Sequence, residues 1–162
     1  MMMRLIAIVS LWATILFVGC SKSKDSANYV HVKDNDAAMA AAIDRARATA
    51  QDFVTAFRAQ KPGTANFFLK KPYPTPSGSS EHMWIKVTGE SDGVFQGIVS
   101  NDAEETRQVK IGQKVLVKTN DISDWKYEEG KKLIGGYTIR YFVDKMSPAE
   151  RAAFLKEAGF EL

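Results

Sequence analysis

The hydrophobic period of this chain changes near residue 60, and this change constrains the fold more than any other feature. Between residues 36 and 60 apolar side chains recur at steps of three and four, which predicts an amphipathic helix. They are Met39, Ile43, Ala46, Ala50, Phe53 and Phe57. After "KPG", which begins at Lys61, the period falls to two, as expected of strands with one buried face. The chain therefore predicts an α+β fold.

Five later segments carry the strand pattern. The predicted strands are residues 66–71, 82–89, 94–100, 114–119 and 132–143. The turn "ESDG" joins the second and third strands in a hairpin, and two consecutive glycines predict a bulge in the last strand. The intervening segments "PYPTPSGSS" and "NDISDWKYEEGK" are predicted to be loops.

The end of the chain predicts a short helix with defined boundaries. Ser147 and Glu150 form a capping box around Pro148, and Gly159 can end the helix in the left-handed conformation. We expect an N-terminal amphipathic helix packed on a strongly bent antiparallel sheet, or a small open barrel, of about five strands, followed by this short helix. A coiled-coil partner for the first helix is the less favoured alternative, because only about three heptads are present.

The first twenty residues predict a leader that is removed. Arg4 is the only charged residue before a largely apolar run from Leu5 to Val18. This run is typical of a signal peptide and is shorter than the ~20 apolar residues that cross a bilayer. An uncleaved N-terminal anchor is the alternative.

The lone cysteine follows this run. The sequence "FVGC" at residues 17–20 resembles a bacterial lipobox, in which cleavage precedes a cysteine that becomes lipidated, although Phe17 replaces the usual leucine. We therefore expect a signal peptide at 1–19, a lipidated cysteine with a flexible tether at 20–35, and one α+β domain at 36–162.

Lipidation of Cys20 predicts a membrane anchor, and no second cysteine exists for a disulfide. Ser21 resembles the residue found in lipoproteins sent to an outer membrane. The expected location is therefore the bacterial cell envelope, at the outer membrane and facing the periplasm. Removal of residues 1–19 leaves 21 basic and 19 acidic side chains, because Arg4 is the one charge removed from the 22 and 19 of the full chain. The resulting charge is too small to predict nucleic-acid binding.

The segment "SSEHMWIKV" at residues 79–87 contains the first candidate functional residues. Neighbouring residues of a strand point to opposite faces, so Glu81 and His82 do not form an acid–base pair. Glu81 joins the apolar side chains of this strand, whereas His82, Trp84 and Lys86 share the other face. An exposed tryptophan on such a face is unusual, so another element or a partner is expected to cover it.

The loop at 120–131 and the glycine-broken strand at 132–143 supply the candidates to cover that tryptophan. The resulting candidate binding face comprises His82, Trp84, Lys86, Asp121, Asp124, Trp125, Tyr137 and Arg140. A purely structural role for each of them, such as an aspartate that stabilises a turn, is the favoured alternative.

These residues favour a non-catalytic binding or interaction module whose partner is an unidentified envelope protein or a glycan. One alternative is an envelope hydrolase with His82 as general base and Asp124 orienting it. Another is a purely structural envelope protein. No cofactor or metal is predicted, because one histidine outside the tether, no free cysteine and scattered carboxylates make a poor ligand set. No G-x-S-x-G motif surrounds Ser100 or Ser123, so no serine nucleophile is predicted.

Four motifs in a fixed order carry a resemblance to a known family. They are "EHMWIKV", "FQGIVSND", "KIGQKVLVKTNDISDWKY" and "GKKLIGGYTIRY". Together with the alanine-rich helix they resemble the YegJ-like family of uncharacterised bacterial proteins, from about Asp36 to Arg140. The resemblance implies an α+β domain, sometimes behind a lipoprotein leader, and it implies no activity. The proline-rich "KPYPTPSGSS" departs from the plainer strand connection of the family.

Overall fold

The α+β architecture is confirmed by the computed structural model, which describes residues 36–162. Within this range the strands are β1 (Thr64–Pro74), β2 (Ser80–Ser91), β3 (Val94–Val99), β4 (Lys114–Lys118), β5 (Asp124–Glu129) and β6 (Lys132–Gly135). They form one antiparallel sheet in the order β4-β3-β2-β1-β5-β6. The helices are α1 (Ala37–Ala48), α2 (Ala50–Ala59), α3 (Tyr137–Val143) and α4 (Pro148–Ala158).

The predicted signal peptide, Cys20 and the tether lie outside the described residues, so those expectations stay predictions. Among residues 36–162 no helix combines the length and apolar character needed to span a membrane.

The N-terminal amphipathic helix is present but is divided in two. Asp36 caps α1, since its Oδ1 accepts hydrogen bonds from the amides of Ala38 and Met39 at 2.9 and 3.0 Å. Thr49 separates α1 from α2, with φ near −105° and its hydroxyl donating to the carbonyl of Arg45 at 2.8 Å. A hydroxyl that bonds the preceding turn bends a helix, which explains the break within one apolar stripe.

The proline-rich segment after Lys71 is a strand for half its length, and not the predicted loop. β1 continues to Pro74 and β2 starts at Ser80, so only residues 75–79 connect them. β1 loses its β5 neighbour after Lys70, where the last pair is Lys70 with Asp124. Proline is tolerated there because, beyond Lys70, the amides on that side of β1 have no strand to which they could donate hydrogen bonds.

The prediction of one strand over residues 132–143 is wrong, because the chain turns into a helix after β6. Gly135 and Gly136 both have positive φ, 73° and 64°. A Cβ at Gly135 would come within 2.4 Å of the carbonyl oxygen of Trp125, so only glycine fits at this end of β6, where it pairs with β5. The glycine pair therefore ends the strand and does not form the predicted β-bulge, and α3 starts at Tyr137.

The hydrophobic core lies between α1, α2 and one face of the sheet. The ring of Phe53 in α2 contacts Phe67, Phe95 and Trp125, with centroids 5.5 to 5.8 Å apart in edge-on or tilted geometry. All of these side chains are buried. We call this side of the sheet the core face.

The predicted C-terminal helix is confirmed with its boundaries. Ser147 and Glu150 form the capping box, Pro148 occupies the first turn, and Gly159 ends α4 in the left-handed region at φ 75°. The chain then returns to the sheet, where Glu161 forms a parallel bridge with Lys132 at the edge of β6.

Candidate functional site

The side of the sheet opposite the core face carries polar and aromatic side chains, and we call it the outer face. Residues paired directly across antiparallel strands point to the same side. Trp84 of β2 pairs with Lys70 of β1, and Lys70 pairs with Asp124 of β5. The outer face therefore contains Phe68, Lys70, His82, Trp84, Lys86, Asp124 and Lys126.

Two lysines from neighbouring strands cover the indole of Trp84. The Nζ of Lys70 lies 5.1 Å from the ring centroid, and the Nζ of Lys126 lies 5.8 Å from it. Both distances suit cation–π attraction. Burial lowers the pKa of Lys70 and that of Lys126, although nearby carboxylates oppose the effect. Trp84 nevertheless stays partly exposed.

Lys126 sits among three aromatic rings. Its Nζ is 4.9 Å from the centroid of Phe68, 5.3 Å from that of Phe160 and 5.8 Å from that of Trp84. Phe160 comes from the chain end after α4 and is buried. The C-terminal segment therefore covers one side of this cluster, whereas Trp84 is partly exposed and Lys86 is exposed.

Asp124 is fully buried and both of its carboxylate oxygens are occupied. Oδ1 accepts from the amides of Trp125 and Tyr137 at 2.8 and 3.1 Å. Oδ2 accepts from the amide and hydroxyl of Thr138 at 2.8 and 2.6 Å. Burial raises the pKa of Asp124, although these hydrogen bonds and the charge of Lys70 act to lower it. The carboxylate of Asp124 in β5 thus accepts the first amide hydrogen bonds of α3 and caps the start of that helix.

His82 forms its ring hydrogen bond with Ser123 and not with Asp124. The distance between Nδ1 and the Ser123 hydroxyl is 2.7 Å, and that hydroxyl also lies 3.3 Å from the carbonyl of Lys70. Burial, with the charges of Lys70 and Arg47, lowers the pKa of His82 to about 4.

This arrangement does not support the hydrolase hypothesis. Ser123 is fully buried, so a substrate cannot reach its hydroxyl. Asp124 holds the start of α3 instead of the imidazole of His82. A catalytic triad requires the acid to orient the base and the nucleophile to face the substrate, and neither condition is met.

The structure separates Trp125 from Trp84, which corrects the predicted cluster. Trp125 points to the core face, is 2% exposed, and donates from Nε1 to the carbonyl of Ala46 at 2.9 Å. Tyr137 packs edge-on against Trp125 at 5.8 Å, and its hydroxyl is hydrogen-bonded to that of Thr49 at 3.0 Å. Both aromatic residues therefore belong to the packing of α1 on the sheet.

Two further predicted residues also leave the Trp84 cluster. Arg140 uses its guanidinium to donate to the carbonyls of Gly135 and Leu133 at 2.9 and 2.7 Å, which ties α3 to β6. Asp121 lies in a short 3-10 turn and pairs with Lys71 at 3.4 Å, on the core-face side of β1. Of the predicted face, His82, Trp84, Lys86 and Asp124 share the outer face.

Sequence reasoning missed the structural role of Glu81. This side chain is 3% exposed on the core face, and it accepts from the amides of Glu104, Glu105 and Thr106 at 2.9, 3.0 and 2.8 Å. A buried carboxylate with three amide donors fixes the segment after β3. The signal for it was an acidic residue at the apolar position of an alternating strand.

The two lysines over Trp84 were missed as well. The alternation of "NFFLKK" places Lys70 on the same face as Phe68, and that of "DWKYEE" places Lys126 on the same face as Asp124 once the segment is recognised as a strand. Within residues 36–162 no group of three or more histidine, cysteine or acidic side chains is placed to hold a metal ion.

The sequence model of one bacterial family, described as "Uncharacterized protein conserved in bacteria (DUF2314)", matches residues 36–162. The uncharacterized protein YegJ of Escherichia coli K12 is 39% identical over 102 residues, which are 63% of this chain and 65% of that protein. A putative ankyrin repeat protein of Neisseria meningitidis serogroup B is 36% identical over 72 residues, 44% of this chain and 28% of that protein. The chain thus spans less than two thirds of either relative's length. No solved structure matches.

Proposed function

We propose a non-catalytic binding function for this chain, which belongs to the uncharacterised bacterial protein family DUF2314. The observation that carries the proposal is the partly exposed indole of Trp84, bracketed by Lys70 and Lys126 on the outer face. A solvent-facing tryptophan is typical of binding surfaces, and neighbouring cations favour a partner of complementary charge.

The charges of this surface define the partner chemistry. Lys86 and Lys126 face the same side, whereas the ammonium of Lys70 donates to the hydroxyl of Thr138 at 3.1 Å and the carboxylate of Asp124 is engaged by the start of α3. The surface therefore favours an anionic group next to a flat or apolar one. An envelope protein with an acidic patch, or an acidic glycan, has this chemistry.

We further propose that the domain works at the bacterial cell envelope, anchored through lipidated Cys20 and facing the periplasm from the outer membrane. The support is the leader and the "FVGC" sequence. In a Cys20→Ala variant we expect an unprocessed precursor, detected by its larger mass on immunoblots of fractionated cells. A mature, soluble product of unchanged size would contradict the anchor.

The binding proposal is tested by crosslinking the full-length chain in its own cells and identifying the captured molecule. Trp84→Ala is expected to abolish capture while the protein keeps its circular dichroism spectrum and a cooperative thermal transition. Ile111→Ala is a suitable comparison, because Ile111 is an exposed apolar side chain in the turn before β4 and belongs to neither proposed binding surface. Unchanged capture by folded Trp84→Ala protein would refute the proposed surface.

The hydrolase alternative is separated by His82→Gln, which keeps a hydrogen-bonding side chain but cannot act as a base. We expect capture and cellular phenotype to survive this change. A phenotype lost while capture persists would favour catalysis over binding.

A further inference from the structure

The two edges of the sheet are treated differently by the chain. At β6 the C-terminal segment pairs with the edge, with the amide of Leu133 donating to the carbonyl of Glu161 and the amide of Glu161 donating to that of Lys131, both at 2.7 Å. At β4 no strand among the described residues occupies the outer side. Uncovered edges are templates for pairing with another chain.

The register of β4 identifies the backbone groups that are available. The amide of Val99 donates to the carbonyl of Gln113 at 3.0 Å, and hydrogen-bonded pairs recur at every second residue of an antiparallel ladder. Val115 and Val117 therefore bond to β3, opposite Gly97 and Phe95. The amides and carbonyls of the alternate residues point away from the sheet; these residues are Lys114, Leu116 and Lys118.

The side chains of these three residues point to the outer face, since Lys114 and Lys86 both pair with Ile98. Leu116 is 64% exposed between two exposed lysines. A surface cavity of about 270 Å³ that is open to solvent is lined by Leu116 together with Thr88, Gln96 and Lys114. The edge thus presents an open ladder, an apolar side chain beside a cavity, and a cation on either side.

We propose that β4 binds an extended segment of a partner protein by strand addition, and that this segment carries acidic, apolar and acidic side chains at every second position. Backbone pairing supplies the attachment, and side chains at alternate positions supply the selection. The two acidic residues meet Lys114 and Lys118, and the apolar residue packs on Leu116 and enters the cavity. This edge is distinct from the surface around Trp84.

A second copy of this chain fits the edge less well. Antiparallel pairing of two β4 strands centred on Leu116 sets Lys114 of one copy against Lys118 of the other, and does so twice. Like charges placed directly opposite are destabilising across a strand pair. Complementary charge therefore favours an acidic segment over a symmetric dimer.

The test uses the full-length chain in detergent and a fluorescent, end-capped peptide, Thr-Glu-Thr-Val-Thr-Glu-Thr, with binding followed by fluorescence anisotropy. A second peptide has lysine in place of both glutamates. We expect saturable binding of the acidic peptide and none of the basic one. Equal binding of both peptides, or of neither, would overturn the proposal.

Charge reversal locates the site. Lys114→Glu/Lys118→Glu is expected to lower the affinity for the acidic peptide at least about tenfold, since like charges then oppose its glutamates. The same variant is expected to bind the basic peptide. The matched control is Lys131→Glu/Lys132→Glu at the closed edge, which should leave affinity unchanged. Equal losses in the two variants would indicate unspecific charge attraction and overturn the proposal.

Backbone pairing is tested by comparing Leu116→Pro with Leu116→Ala. Both remove the leucine side chain, but only proline removes the outward amide, and it spares the ladder to β3. The proline variant should bind about fivefold more weakly than the alanine variant. Equal affinities of the two folded variants would overturn strand addition. If the proline variant does not fold, the charge-reversal pair decides. Concentration-dependent dimers in sedimentation equilibrium that are strengthened by Lys114→Glu alone, which places opposite charges across both pairs, would assign the edge to a second copy and overturn the proposal.

Discussion

Trp84 and Trp125 lie on adjoining parts of one sheet but on opposite faces, and their surroundings differ in kind. Trp125 is enclosed by rings from α2, β5 and α3, and its indole nitrogen has a carbonyl partner. Trp84 is covered by two lysine side chains and remains partly exposed. A tryptophan with rings around it and a satisfied N–H stabilises the fold, whereas a partly exposed tryptophan beneath lysine side chains is available to a partner.

The strongest test of this contrast is removal of the enclosed indole. Trp125→Ala is expected to lower the free energy of unfolding by about 4 kcal/mol, because a large cavity opens in the aromatic core and the carbonyl of Ala46 loses its donor. Urea unfolding monitored by circular dichroism measures the change. A loss no greater than that of Trp84→Ala would contradict the assigned difference between the faces.

The buried carboxylate on the outer face should have the next largest effect. Asp124→Ala leaves the amides at the start of α3 and the hydroxyl of Thr138 without their acceptor, so we expect a loss of about 3 kcal/mol in the free energy of unfolding. Asp121→Ala is the control, because Asp121 is exposed and should change stability by at most about 0.5 kcal/mol. Comparable losses in both variants would refute the capping role.

The pH dependence of stability tests the partly buried imidazole of His82 on the outer face. The folded-state pKa of His82 is about 4, below the ordinary value of 6.5, so the folded state favours the neutral ring. Its contribution is fully present above the unfolded pKa and is lost as the pH falls from 6.5 towards 4.

The measurement compares wild type with His82→Gln in urea unfolding. The stability of the wild type relative to the variant should fall by about 2 kcal/mol between about pH 7 and about pH 4.5, after allowance for solvent screening. Other ionisable groups lose the same stability at low pH in both proteins, so the difference between wild type and variant reports on His82 alone. Parallel pH profiles would show that the ring is not held neutral.

The smallest expected effect on stability belongs to the exposed tryptophan. Trp84→Ala should cost about 1 kcal/mol, because it removes two cation–π contacts but opens no enclosed cavity. Thermal and urea unfolding of the variant provide the value. A loss as large as that of Trp125→Ala would mean that Trp84 is part of the core, and the binding proposal would lose its main support.

The alternation of β2 was predictable because it is a local property. The period of "HMWIKV" placed Trp84 and Lys86 on one face, and the register of the sheet shows that arrangement. The capping box at Ser147 was predictable for the same reason, since its two partners lie three residues apart.

The misplacement of Trp125 followed from assigning "DISDW" to a loop. Its aspartates and serine have turn propensity, yet the segment enters β5 at Asp124 because β1 offers a partner 54 residues earlier at Lys70. Once it is a strand, the rule that separates Glu81 from His82 also separates Asp124 from Trp125. The rule was correct, and the element to which it applied was not recognised.

The helix α3 was unpredictable for a related reason. Its sequence "YTIRYFV" is rich in β-branched and aromatic residues, which favour a strand. Tertiary contacts override that preference: Asp124 caps the helix start, Arg140 ties it to β6, and Tyr141 donates a hydrogen bond to Asp36 at the start of α1. Two of these partners, Asp124 and Asp36, lie outside the local sequence of the helix.

The amino-acid sequence by itself determined the class of fold, the ends of the last helix and the face on which Trp84 lies, since periods and caps act over a few residues. Tertiary structure alone decided that Asp124 serves α3, that Trp125 enters the core, and that Lys70 and Lys126 cover Trp84. Those outcomes depend on strand partners and burial between distant segments, which no local pattern encodes.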